Sequence, residues 1–182
     1  MNIANKLTVL RVLMIPFFLF ALWSPIFGEY GRIAAAFVFI AASITDFIDG
    51  WIARKYDIIT NFGKFMDPLA DKLLVSAALI ALTQTGEIAA WVVIILIGRE
   101  FIVTGVKMIA AEQGIVIAAD TAAKFKTAAQ MTAVIFFILG LQQINQIFET
   151  AGSILLGITI VLSIVSAYGY ISKNISIFRG DI

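Results

Sequence analysis

The chain has 182 residues, 61% of them hydrophobic and only 14% charged, with a mean hydropathy of +0.99. Soluble domains run about 45–50% apolar and about 25% charged, so these charges are too few to cover a surface surrounded by water, and the chain is expected in a lipid bilayer. Thirteen Lys and Arg against twelve Asp and Glu leave a net charge of +1, without cysteine or histidine. This excludes the basic field of a nucleic-acid binder, disulfides, thiolate catalysis, a Ser-His-Asp triad and the usual zinc ligands. Any metal site must use oxygen ligands.

A helix that crosses the hydrocarbon core needs roughly 20 residues. Six segments of about that size follow one another, near residues 7–23, 32–54, 67–85, 88–111, 121–141 and 152–172. Between them stand the expected breakers: Ser24-Pro25 with Gly28, Asn61 with Gly63, Thr85-Gly86, Gly114, and the polar run from Gln142 to Gln146. No long linker or low-complexity tract interrupts them. The expected architecture is therefore all-α, one domain over residues 1–182, an integral membrane bundle of six transmembrane helices. The first segment lacks a small-residue cleavage site and is read as retained. Six crossings put both termini on one side. Arg32 is the one basic residue near the side reached by Phe27, Gly86 and Ile147, while the other twelve lie toward the opposite side. By the positive-inside rule both termini are predicted cytoplasmic. Nine of the twelve acidic residues fall on that same half, leaving Glu29, Glu87 and Glu149 outside. Such an arrangement points to a polar chamber that opens inward.

Four aspartates sit in or beside the second and third segments: Asp46, Asp49, Asp67 and Asp71. Ionisable groups at such depth are costly, which makes them functional candidates. Asp46 and Asp49 are three residues apart and Asp67 and Asp71 four apart, so each pair shares a helix face. The two helices run antiparallel around a short cytoplasmic turn, which lets all four carboxylates converge. Their mutual repulsion would be relieved by two hard divalent cations such as Mg²⁺ or Mn²⁺. Gly50 and Ala53 share the face of Asp46 and Asp49, and Gly63 lies one turn before Asp67, leaving room for a bulky ligand. Arg54 ends the second helix, where it can grip a pyrophosphate. A proton or ion pathway in a cation transporter also uses buried carboxylates and is the rival reading outside enzymes.

The pattern Asp46-x-x-Asp49-Gly50-x-x-Ala53-Arg54, eight residues, Gly63-x-x-x-Asp67-x-x-x-Asp71 resembles, without a gap, the signature of the CDP-alcohol phosphotransferase family. The six-segment layout extends the resemblance over the whole chain. It implies a reaction in which an alcohol hydroxyl attacks the lipid-bearing phosphorus of a CDP-linked donor and CMP leaves. It further implies that Asp46, Asp49, Asp67 and Asp71 hold two Mg²⁺ or Mn²⁺ ions and that Asp71 accepts the proton of the attacking hydroxyl. Gly50, Ala53 and Gly63 would line the cytidine pocket, with Asp49, Arg54 and Asp67 also at the donor. A homodimer in the cytoplasmic (inner) membrane is part of the same implication, with the active site facing the cytoplasm.

Three weaker stretches resemble the phosphatidylglycerophosphate synthase branch, whose donor is CDP-diacylglycerol and whose acceptor is glycerol 3-phosphate: Asn5-x-x-Thr8-x-x-Arg11, Gly98-Arg99-Glu100-Phe101, and Lys124-Phe125-Lys126-Thr127-x-x-Gln130. Asn5 and Thr8 are assigned to the donor, and Arg11, Arg99, Lys124 and Lys126 to the acceptor phosphate, because a doubly charged acceptor needs cations that an uncharged one does not. A cardiolipin synthase or an enzyme with an inositol-phosphate acceptor is the alternative within the family. Plainer roles stand beside these: helix caps for Asn5 and Thr8, interfacial anchors for Lys124 and Lys126, an ion pair for Arg99 with Glu100, and interface aromatics for Tyr168 and Tyr170. Neighbours on a helix point about 100° apart, so an Arg99–Glu100 pair is expected to be poorly aligned.

Overall fold

The computed structural model describes residues 3–55, 61–112 and 121–173; for residues 3–4, 46–47, 49–55, 61–65, 67–68, 71, 112, 121–124 and 173 it describes the backbone alone. All regular structure among the described residues is helical, in six long helices: α1 (Ile3–Trp23), α2 (Gly31–Lys55), α3 (Asn61–Gln84), α4 (Ala90–Glu112), α5 (Thr121–Ile138) and α6 (Gln146–Lys173). Short 3₁₀ turns occupy Pro25–Tyr30 and Leu141–Gln143.

Three stretches among the described residues are long and apolar enough to cross a membrane: Asn5–Trp23, Pro25–Thr45 and Gln146–Ser172. The uninterrupted apolar parts of α3 and α5 are shorter, Lys72–Gln84 and Phe125–Ile138. In α4 the charges of Arg99, Glu100 and Lys107 fall inside the same length. Of these, Arg99 and Glu100 belong to a polar centre shared with α3 and α5.

Local chemistry sets where the helices stop and start. Gly86, at φ 78°, closes α3: its N–H donates to Thr83 O at 3.0 Å and the Glu87 N–H to Leu82 O at 3.0 Å, the paired bonds that satisfy a helix's last carbonyls. The start of α6 lies six residues before the expected Gly152. Asn145 explains this, because its Oδ1 accepts from the N–H groups of Ile147 at 3.0 Å and Phe148 at 3.1 Å and so caps the helix within the polar run read as a linker.

The core is built by α1 on α2 and α3, with α5 and α6 closing the other side. Ala21, Ala35, Ala36 and Ala42 are buried, and small side chains of this kind let helix backbones approach closely. Phe18 and Phe39, both fully buried, meet at 6.0 Å between ring centroids. Leu74, Leu79, Leu82, Leu96 and Ile138 complete this cluster. Large apolar side chains such as Phe17, Phe37, Ile94 and Val165 point outward, as a lipid-facing surface requires. A smaller cluster of Val103, Val106 and Tyr170 joins α4 to α6, with Lys107 Nζ 5.4 Å from the Tyr170 ring centroid. Tyr170 is thus buried between helices, unlike the exposed Tyr168.

Candidate active site

The α2 and α3 backbones carry the aspartates in unbroken helix, so Asp46 and Asp49 keep one face of α2 and Asp67 and Asp71 one face of α3. The side chains of these four, and of Gly50, Ala53, Arg54, Gly63 and Lys124, lie outside the described residues. As a donor set, four carboxylates from two consecutive helices suit hard divalent cations, which prefer oxygen ligands.

On α1, Asn5, Thr8 and Arg11 recur every third residue and all three are buried, Thr8 and Arg11 fully. That face belongs to the helix packed on α2 and α3. An ordinary cap at a helix end would not be shielded along two turns, so burial of the polar face argues for a role within the bundle.

A second polar centre gathers where α3, α4 and α5 approach. Glu100 on α4 accepts from Lys126 Nζ of α5 and from Arg99 Nη1 at 3.3 Å, both through Oε1. Its other oxygen, Oε2, pairs with Lys72 Nζ of α3 at 3.8 Å. Three cations from three helices therefore converge on one carboxylate. Lys126 is 2% exposed, and a buried ammonium is tolerated only where anions or oxygens surround it. Lys72 directly follows Asp71, so this centre is continuous in sequence with the aspartate motif. Arg99 also donates from Nη2 to Ser166 Oγ of α6 at 3.0 Å, which ties the last helix to the centre.

Beside this centre opens a small pocket of about 50 Å³, continuous with the outside. Lys72, Glu100, Lys126 and Gln130 form its polar side, and Leu79 and Ile97 are among its apolar lining. Arg99 and Lys126, both expected at the acceptor phosphate, are brought together by the structure on the carboxylate of Glu100. Lys72 was not foreseen, and Glu100 was foreseen only as an ion-pair partner of Arg99, not as the anion that three helices share. The signal for Lys72 was its adjacency to Asp71. For Glu100 it was a lone acid about three turns into an apolar helix, with no unlike charge at i±3 or i±4. Arg99 and Glu100, although sequence neighbours, do meet, at 3.3 Å between Nη1 and Oε1.

Residues 1–165 match the family model described as CDP-alcohol phosphatidyltransferase. The chain is similar to the CDP-diacylglycerol–glycerol-3-phosphate 3-phosphatidyltransferase of Bacillus subtilis (strain 168), with 42% identity covering 95% of each chain. Similarity to the enzyme of that name from Rickettsia bellii is 38% over 93% of each. The probable phosphatidylglycerophosphate synthase of Mycobacterium tuberculosis (strain H37Rv) is 36% identical over 94% of this chain and 81% of its own. An unbroken aspartate signature, six helices and a match over nine-tenths of the length lead to one conclusion: the chain belongs to the CDP-alcohol phosphatidyltransferase family.

Proposed function

We propose that this protein is an integral-membrane enzyme of phospholipid biosynthesis that transfers the phosphatidyl group of CDP-diacylglycerol to glycerol 3-phosphate, giving phosphatidylglycerophosphate and CMP. The observation that carries the reading is the convergence of Lys72, Arg99 and Lys126 on Glu100 beside an open pocket. A dianionic acceptor needs several cations in one place, and an uncharged polyol does not. The names of the similar proteins agree with it.

In this reading a hydroxyl oxygen of glycerol 3-phosphate attacks the phosphorus that bears diacylglycerol. A new P–O bond forms, the bond to the CMP phosphate breaks, and CMP leaves with the electron pair. Asp71 accepts the hydroxyl proton, a task that needs a carboxylate within hydrogen-bond reach. Asn5, Thr8, Gly50, Ala53, Arg54 and Gly63 seat the cytidine and pyrophosphate, and Arg11, Arg99, Lys124 and Lys126 hold the acceptor phosphate. Two Mg²⁺ or Mn²⁺ ions held by Asp46, Asp49, Asp67 and Asp71 would supply charge neutralisation on the pyrophosphate.

All six helices cross the bilayer in this proposal, as one domain of a homodimer in the cell membrane, with both termini and the active site cytoplasmic. Burial of Arg99 and Lys126 supports the crossing of α4 and α5, because their charges turn inward instead of toward lipid. The test is CMP release by purified protein supplied with CDP-diacylglycerol, Mg²⁺ and a panel of acceptors. Release with glycerol 3-phosphate alone is expected, lost on chelation and restored by Mg²⁺ or Mn²⁺. Equal release with phosphatidylglycerol overturns the acceptor assignment, and no release with any acceptor returns the aspartates to an ion pathway.

A further inference from the structure

Gln130 lies on α5 four residues after Lys126, so the two share a helix face and stand about 6 Å apart along the axis. It is 3% exposed, lines the pocket, and its Oε1 is buried with no hydrogen-bond partner among the described residues. A buried amide oxygen without a donor is costly, and native proteins leave few. In the wall of an open pocket, the missing donor is supplied by what enters it. Glu100 cannot take that part, since both of its oxygens already face cations.

We propose that Gln130 is a specificity-determining residue: its amide oxygen accepts a hydrogen bond from the acceptor's middle hydroxyl, the one that does not react, while the cations around Glu100 hold the phosphate. The offset between Lys126 and Gln130 suits a three-carbon phosphate laid along α5. A hydroxyl both donates and accepts, so it matches either edge of the amide. Sites built to bond a hydroxyl reject the analogue that lacks it, because the protein's polar group is then left unpaired. The proposal rests on the acceptor reading above and adds to it the part of the acceptor that is read.

The experiment compares glycerol 3-phosphate with 3-hydroxypropyl phosphate, which keeps the phosphate and a reacting hydroxyl but lacks the middle one. The native enzyme should prefer glycerol 3-phosphate by about 10- to 100-fold in kcat/KM, a range set by one hydrogen bond to a buried group. In Gln130→Leu that preference should collapse to within about 3-fold, through loss with glycerol 3-phosphate and little change with the analogue, while the KM for CDP-diacylglycerol stays as it was. Gln130→Glu, which keeps an acceptor oxygen, should retain the preference and guards against a leucine variant that fails to fold. Retained preference in Gln130→Leu, lost preference in Gln130→Glu, or no preference in the native enzyme each overturns the inference and leaves the acceptor reading standing. No CMP release by the native enzyme with glycerol 3-phosphate overturns both.

Discussion

Two polar clusters cap this bundle's interior, and they are built on opposite plans. In one, Arg32 at the start of α2 pairs with Glu87 in the α3–α4 connection and donates from Nη1 to Phe137 O at 3.2 Å and Ile138 O at 3.4 Å, the last carbonyls of α5. Gln142 and Gln143 add bonds to the two Glu87 oxygens at 2.8 and 3.3 Å. One cation meets one anion, and the surplus donors go to backbone of the same chain. In the other, three cations share the single carboxylate of Glu100 beside an open pocket, and the amide oxygen of Gln130 is left without a donor among the described residues. The first cluster spends its charges on a one-to-one ion pair and on backbone carbonyls and fastens three connections, with the Gln142 Oε1 also buried and without a partner among the described residues. The second has capacity directed at an opening, which is the mark of a site that expects a ligand.

The sharpest way to break this contrast is Asp71→Asn, next to Lys72. It removes the proposed base and a metal ligand together, so CMP release should fall about 10³-fold, while donor binding is largely spared. Near-normal turnover would sink the mechanism. Lys126→Met comes next: it should raise the KM for glycerol 3-phosphate about 10- to 100-fold, as removing one charge from a buried cluster does, with the KM for CDP-diacylglycerol within twofold. An equal change for both substrates makes Lys126 a structural cation and the two clusters alike.

At the other end the expected effects change in kind. Arg32→Met should lower unfolding free energy in detergent by about 1–3 kcal/mol, the range for breaking a pair whose arginine is about a third exposed. Both KM values should stay unchanged. A shift in either KM would mean that the Arg32 cluster communicates with the site.

The helices and the aspartate motif were legible because each has a local cause. Apolar stretches bounded by Gly, Pro and Ser mark the six helices, and spacing alone puts Asp46 with Asp49 and Asp67 with Asp71. The start of α6 was misplaced because Asn145 serves as a cap inside a polar run, and composition does not separate a cap from a linker. The Glu100 centre was hidden for a different reason. Its members lie 28 and 26 residues apart, on α3, α4 and α5, and only helix packing makes them neighbours. Arg99 and Glu100 looked mismatched from the 100° between adjacent side chains, yet long, flexible stems let the two groups meet directly. Gln130 carried no signal of its own: its meaning comes from the pocket beside it.

Gly140 offers the smallest test and the most local one. It follows α5 at φ 69°, a left-handed conformation that costs other residues about 1–2 kcal/mol. An added Cβ there would stand 3.0 Å from Arg32 Nη1 and 3.2 Å from its Cδ and Cζ, so the side chain must yield a few tenths of an ångström. Gly140→Ala should therefore lower stability by about 1–2 kcal/mol, read as a drop in unfolding temperature, with catalysis intact. In an Arg32→Ala background the steric part should vanish and the backbone part remain, so the double variant should lose less than the sum of the two separate losses. Full additivity would show that Gly140 matters for its backbone alone and that Arg32 is held without its help.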